Sequence, residues 1–344
     1  MPFRDIIGHR KLVGLLARSI ARESLPPSLI FSGPAGVGKF LAAISTAQAL
    51  NCLSPVPFTS AEGHEAVGVD ACGRCAACTR IARGMHPDVL ILKPNEKGNI
   101  KIDPVREAVE RAGYRPFEGR RRVTVVDSAD GLEIAAQNSL LKVLEEPPAS
   151  SVFILVTALP DTLLQTVRSR CPQLRFRGLP PQDVVAALGK LGHDERQARR
   201  AALMADGSIG AAVALRDAED DDQDVRELAL QVLAQAAGSD DGRRRIESAK
   251  ALVAKTGAGV TSERDQLGLY LRAMASILRD VEVLSTGADR ALLANADLQP
   301  AIERLTAFAG ARGRQAFLAI DRALAAIERY ANAKIVADWL VLQL

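Results

Sequence analysis

Gly33, four further residues, Gly38 and Lys39 make a G-x-x-x-x-G-K spacing, with Gly36 inside it. Glycines so placed let successive backbone N–H groups turn towards one anion, and the lysine adds a point charge. The chemistry this suits is holding a phosphate chain at a helix N-terminus. Hydrolysing that chain asks for more: a Ser or Thr hydroxyl after the lysine to ligate a divalent cation, and carboxylates at the end of a neighbouring strand for the cation and the attacking water. Here Phe40 follows Lys39, and a phenyl ring cannot ligate a hard cation. The apolar run 123–126 ends in Asp127, which suits the cation, but Ser128 stands where the second carboxylate is needed. Serine is no base at neutral pH without help. Asp130, three residues beyond Asp127, reads as the cap of the next helix. The sequence leaves open whether ATP or ADP is held at the loop, or whether the glycines form only a turn.

A second constellation is Cys52, Cys72, Cys75 and Cys78. A Cys-x₂-Cys-x₂-Cys triplet plus one distant cysteine matches a closed Cys₄ site, and soft thiolates suit Zn²⁺. Such a site is structural, with no open position for water. An iron–sulfur cluster or a metal-free thiol cluster satisfies the same composition. Cys171 stands alone and reads as a packed core thiol. With four cysteines crowded together in a chain of cytosolic character, metal is a better reading than disulfides.

These residues must be positioned by an alternation of strands and helices. Short continuous apolar runs at 29–32, 89–92, 123–127, 152–157 and 173–176 lack period-two alternation, as in strands covered on both faces. Helical stretches at 11–22, 39–50, 104–114 and 135–144 lie between them, the last stopped by Pro147 and Pro148. The expectation is an α/β domain with a parallel sheet over 1–177, carrying the cysteine module at about 52–78. From Gly178 onwards no strand is evident. A small helical bundle is expected over 178–218, then the acidic run 218–224, then an all-α C-terminal domain over 225–344 that ends in a long helix at 315–344.

The chain has 344 residues, 48% of them hydrophobic and 25% charged, with a net charge of +3. That charge excludes a strongly basic nucleic-acid coat and an acidic disordered chain. The arginine clusters at 120–122 and 243–245 read as solvated faces. No apolar run approaches the ~20 residues of a membrane span, and no signal peptide is evident, so a cytoplasmic globular protein is expected.

The phosphate loop, the cysteine cluster, Asn138-Ser139-Leu140-Leu141-Lys142-Val143-Leu144-Glu145-Glu146-Pro147-Pro148 and Ser169-Arg170-Cys171 occur in that order, after Phe3-Arg4-Asp5-Ile6-Ile7-Gly8-His9. This combination resembles the AAA+ clamp-loader subunits of bacterial DNA polymerase III, and within them the delta-prime branch. The resemblance rests on specific motifs to about residue 177, extends weakly through Gly207-Ser208, and continues to Leu344 by helical character alone. It implies a subunit of a five-membered ring that opens the sliding clamp and sets it on primed DNA, with gamma/tau and delta subunits as partners. It implies a largely non-hydrolysing stator in which Arg170 is offered in trans to a neighbour's ATP. Thr157 matches the position that senses the γ-phosphate. Gly33, Gly36, Gly38, Lys39 and Asp127 match the family's own nucleotide site, and Gly210 stands where a second sensing arginine is expected. The cysteines sit where these subunits carry zinc. The C-terminal helices, with Leu318, Leu324, Ile327, Ile335, Trp339, Leu340 and Leu342, match the collar through which the ring assembles. Two other readings remain: a gamma/tau-type hydrolysing motor, and a zinc-bearing scaffold without nucleotide dependence.

Overall fold

The computed structural model describes residues 1–59, 66–95, 98–205, 207–217, 222–238, 241–253, 263–328 and 331–344. The chain forms two compact units, Met1–Ala187 with Gly207–Gly210, and Leu188–Asp206 with Ala211–Leu344.

In the first unit the elements run α1 (Arg10–Ala21), β1 (Ser28–Ser32), α2 (Lys39–Asn51), β2 (Val56–Thr59), β3 (Ala66–Asp70), α3 (Ala76–Ala82), β4 (Val89–Leu92), α4 (Ile102–Ala112), β5 (Arg122–Val126), α5 (Ile134–Glu145), β6 (Ser151–Thr157), α6 (Gln165–Arg168), β7 (Gln173–Arg175) and most of α7 (Pro181–Lys190). The main sheet has the order β4-β5-β6-β1-β7, all parallel. β1 and β6 are buried at every position, which is why their sequences show no alternation. Successive residues still part to opposite faces. Leu29 and Phe31 join the core under α1 and α2, whereas Ile30 joins the core under α4 and α5. All five strands are those expected, with no end shifted by more than one residue.

Between Cys52 and Cys72 the structure has an antiparallel hairpin, β2–β3, where the sequence suggests only a polar segment. The short helix α3 was not anticipated either. Both lie in the module that the cysteines close.

The second unit contains α8 (Glu195–Met204), most of α9 (Ile209–Asp217), α10 (Asp222–Gly238), α11 (Gly242–Val253), α12 (Glu263–Ser285), α13 (Gln299–Ile302), α14 (Ala311–Glu328) and α15 (Ala333–Gln343). Its described residues include no strand. The core is built around α12, whose Leu267, Leu271, Met274 and Ile277 are buried with residues of α10, α11, α14 and α15. The long final helix expected at 315–344 is two helices. Asn332 starts the second, its side-chain oxygen accepting from the N–H groups of Lys334 and Ile335, which is the capping chemistry that opens a new helix. Among the described residues no helix is long and apolar enough to cross a membrane.

Candidate functional site

The carboxyl ends of β1, β4, β5 and β6 all open onto one edge of the sheet, and the phosphate loop leaves from β1. Gly33, Gly36 and Gly38 have φ of 143°, 71° and 99°, conformations open to glycine and strained for other residues. Gly38 is the N-cap of α2, and the space where its side chain would lie is open. Lys39 is buried, its Nζ donating to the carbonyls of Gly33 (2.5 Å) and Pro34 (2.6 Å). His9 Nε2 donates to Val37 O at 2.9 Å, so this ring nitrogen carries the proton. From the other side Ser208 Oγ donates to Ala35 O (2.9 Å) and Gly210 N–H to Gly36 O (2.9 Å). A Cβ at Gly210 would lie 2.9 Å from Gly36 Cα. Glycine therefore belongs at 210 because the loop passes against it, and no sensing side chain fits there.

The loop has the features that would cradle a polyphosphate: left-handed glycines, open space at Gly38, a helix N-terminus and a lysine. The residues do not equally fit a magnesium ion. Phe40 is half-buried in the core under α1 and α2, and Lys93 Nζ lies 5.5 Å from the centre of its ring. Asp127 follows β5, its N–H donating to Leu92 O at 2.8 Å. Burial pushes its carboxyl above the ordinary value, against the pull of Lys93 and Lys39. Asp130 does not cap a helix. Its Oδ1 accepts from Thr157 Oγ1 (2.8 Å) and from the Ala158 N–H (3.2 Å). Thr157 is itself buried, and its oxygen accepts from the Leu159 N–H at 3.0 Å. The hydroxyl proton of Thr157 is thus committed to a carboxylate within the chain.

Arg170 follows α6. Its Nη2 lies 2.6 Å from Glu145 Oε1, at the end of α5, and its Nη1 donates to Thr166 O at 2.9 Å. The side chain remains 34% exposed. Cys171 beside it is buried, and burial raises its thiol to about 11, as expected of packing rather than reactivity.

The sulfurs of Cys52, Cys72, Cys75 and Cys78 all lie within 4.8 Å of one another. A tetrahedron with Zn–S arms of about 2.3 Å has edges of about 3.8 Å, so the set needs little adjustment to close on one ion. Backbone N–H groups point at the sulfurs, from Cys72 to Cys52 (3.2 Å), Cys75 to Cys72 (3.3 Å) and Cys78 to Cys75 (3.5 Å). Against the upward push of burial, N–H groups of Cys78 and Leu53 bring the Cys75 thiol down to about 6, whereas burial keeps Cys78 well above its ordinary value. The module is pinned to the body of the unit. Gln48 Nε2 donates to Cys78 O (2.8 Å), and Arg4 donates to the carbonyls of Ala71 (2.8 Å) and Cys72 (3.0 Å).

The family model described as DNA polymerase III, delta subunit, matches residues 8–180, half of the chain. The chain belongs to this family of clamp-loader AAA+ subunits. It is similar to the DNA polymerase III subunit gamma/tau of Mycobacterium tuberculosis, with 32% identity over 193 residues, 56% of this chain and 32% of that one. It is also similar to the delta-prime subunit of Escherichia coli, with 35% identity over 217 residues, 62% of this chain and 61% of that one. The chain thus spans about a third of the gamma/tau relatives and under two thirds of the delta-prime relative. A solved DNA polymerase III gamma subunit-related protein of Thermotoga maritima covers 95% of the chain at 16% identity and a TM-score of 0.40.

Within the family frame, the sheet brings Gly33, Gly36, Gly38, Lys39, Asp127 and Thr157 to one edge, and the four cysteines to one cluster. Lys93 and Glu145 were not singled out by the sequence. The available sign for Lys93 was that it directly follows its apolar run, as Asp127 follows the adjacent one. The two arginine clusters turn partly inward: Arg122 pairs with buried Asp88 at 3.1 Å, and Arg245 donates to Ala236 O at 3.2 Å.

Proposed function

We propose that this chain is a delta-prime-type subunit of a bacterial DNA polymerase III clamp loader, a cytoplasmic stator that does not turn over ATP at its own loop. Its role is to place Arg170 against the ATP held by a gamma/tau neighbour while the ring sets the sliding clamp on primed DNA. The observation that carries this reading is a contrast. The chain's own loop has Phe40 for the metal-binding hydroxyl, Ser128 for the base and a Thr157 hydroxyl already bound to Asp130, whereas the Arg170 guanidinium is partly exposed. A guanidinium matches phosphate oxygens bidentately, and such a group contributes about 10³–10⁵ in rate. The gamma/tau relatives favour a motor reading by similarity, but the missing hydroxyl and base weigh against it.

In this reading Cys52, Cys72, Cys75 and Cys78 hold one structural zinc ion. The parts of the chain act as an AAA+ domain (1–177), a lid (178–218) and a collar domain (225–344) that meets the gamma/tau and delta subunits. The deciding experiment is Arg170→Ala in a loader reconstituted from purified subunits. DNA-stimulated ATP hydrolysis is expected to fall by orders of magnitude with the ring intact, and full activity would refute the role. Metal analysis of the purified chain is expected to give one zinc; its absence, with four free thiols, would refute the metal assignment.

A further inference from the structure

The phosphate loop retains its lysine and glycines, yet has lost the residue that holds magnesium. Lys93 lies beside the ring that takes its place. β4 and β5 are parallel, with Leu92 opposite Val126, so Lys93 and Asp127 leave the sheet side by side. The Lys93 ammonium reaches across to the face of Phe40, 5.5 Å from the ring centre, and Phe40 is the residue that replaced the hydroxyl. An aromatic face attracts an ammonium through its quadrupole. The substitution that removes a metal ligand therefore supplies a seat for an organic cation, in register with the carboxylate that would otherwise face the metal.

We propose that the phosphate loop holds a nucleoside di- or triphosphate without a divalent cation, with the Lys93 ammonium beside Phe40 and Asp127 supplying positive charge that magnesium supplies elsewhere. Lys39 and the N-terminus of α2 meet the phosphates from the loop side, and Lys93 meets them from the β4 side. A single ammonium offers no Lewis acid to a leaving group and orients no water. The bound nucleotide is therefore kept rather than consumed, and its place is to brace the loop. This inference rests on the loop being a nucleotide site, but not on Arg170, so it can fail while the trans role stands.

The test is fluorescence anisotropy of a mant-labelled ATP and a mant-labelled ADP titrated with the full-length chain, once in excess EDTA and once in excess magnesium. The dissociation constant is expected to change less than about threefold between the two conditions, because no metal ligand is removed. Lys93→Ala is expected to weaken binding in EDTA by about tenfold, the scale of one hydrogen bond to a charged group, with Lys93→Arg restoring most of it. Lys39→Ala is expected to abolish binding. Lys93 is exposed, so its variants should fold, and a thermal melt checks that these and Lys39→Ala do. Binding that is lost in EDTA, binding unaffected by Lys93→Ala or by Lys39→Ala, or no binding in either condition would each overturn the proposal.

Discussion

Glu145 Oε1 and Arg170 Nη2 lie 2.6 Å apart, joining the last residue of α5 to the arginine that follows α6. The two side chains are 50% and 34% exposed. An ion pair this open to solvent contributes about 0–1 kcal/mol. It is therefore weak enough to be displaced, as the proposed role of Arg170 in trans requires. Glu145→Ala is expected to shift the unfolding free energy by under about 1 kcal/mol in a urea titration. In the reconstituted loader it should leave ATP hydrolysis within a fewfold of wild type, whereas Arg170→Ala is expected to remove it. A Glu145→Ala loader as inactive as Arg170→Ala would mean that the pair is part of the working geometry.

The bond between Thr157 Oγ1 and Asp130 Oδ1 predicts a structural phenotype for a residue that resembles a site carboxylate. Asp130 also accepts the Ala158 N–H, so Asp130→Ala strands a buried hydroxyl and a backbone donor. Leaving such groups unpaired costs about 1–3 kcal/mol. A lowered urea midpoint of that size is expected, measured on the isolated chain. A variant as stable as wild type would show that water or another group takes up both donors.

Acid sensitivity is expected from His86. It is buried, its Nδ1 accepts the Asp88 N–H at 3.2 Å, and its Nε2 faces Glu118 Oε1 at 3.4 Å. The accepted N–H fixes the neutral tautomer with its proton on Nε2. Burial lowers the pKa below 6.5, against the pull of Glu118 and Asp88. Above 6.5 the folded and unfolded states are both neutral, so this residue adds no slope. As pH falls below 6.5 the unfolded chain takes up a proton that the folded chain refuses, and stability falls until the lowered folded value is passed. Urea midpoints measured between pH 7 and pH 5 should fall for wild type and fall less for His86→Gln. Equal slopes would show that other groups govern the acid limb.

What the sequence made legible follows from what is local. Five strands were readable because continuous apolar runs bounded by turn residues have few other uses. The loop glycines and the cysteines were readable because their spacing along the chain is itself the motif. Lys93 and Glu145 were not, because their partners lie in other elements: strand register sets Lys93 beside Asp127, the Phe40 ring it meets belongs to α2, and Glu145 meets Arg170 through the approach of α5 and α6. Asp130 was misread for the same reason. Its position three residues after a strand suits a helix cap, but a hydroxyl at the end of the neighbouring strand competed for it and won. The break at Asn332 was local and visible, a good N-cap residue between two helical runs, but the helical character on both sides concealed it.

The last prediction concerns α15. Ile335, Trp339 and Leu342 are spaced four and three residues apart, which places them on one helix face. All three are exposed, with Ile335 at 69%. Val336, Ala337, Leu340 and Val341 are instead buried in the core of their own unit. The helix therefore has two apolar sides and uses only one of them within the chain. The collar reading assigns the other side to a neighbouring subunit. Exposed substitutions usually change stability by less than about 0.5 kcal/mol, so Ile335→Asp with Leu342→Asp should leave the thermal melt of the isolated chain nearly unchanged. The same pair should prevent co-elution with gamma/tau and delta subunits on size exclusion, because two charges would be buried unpaired at the contact. A double variant that melts like wild type and still enters the ring would remove α15 from the collar interface.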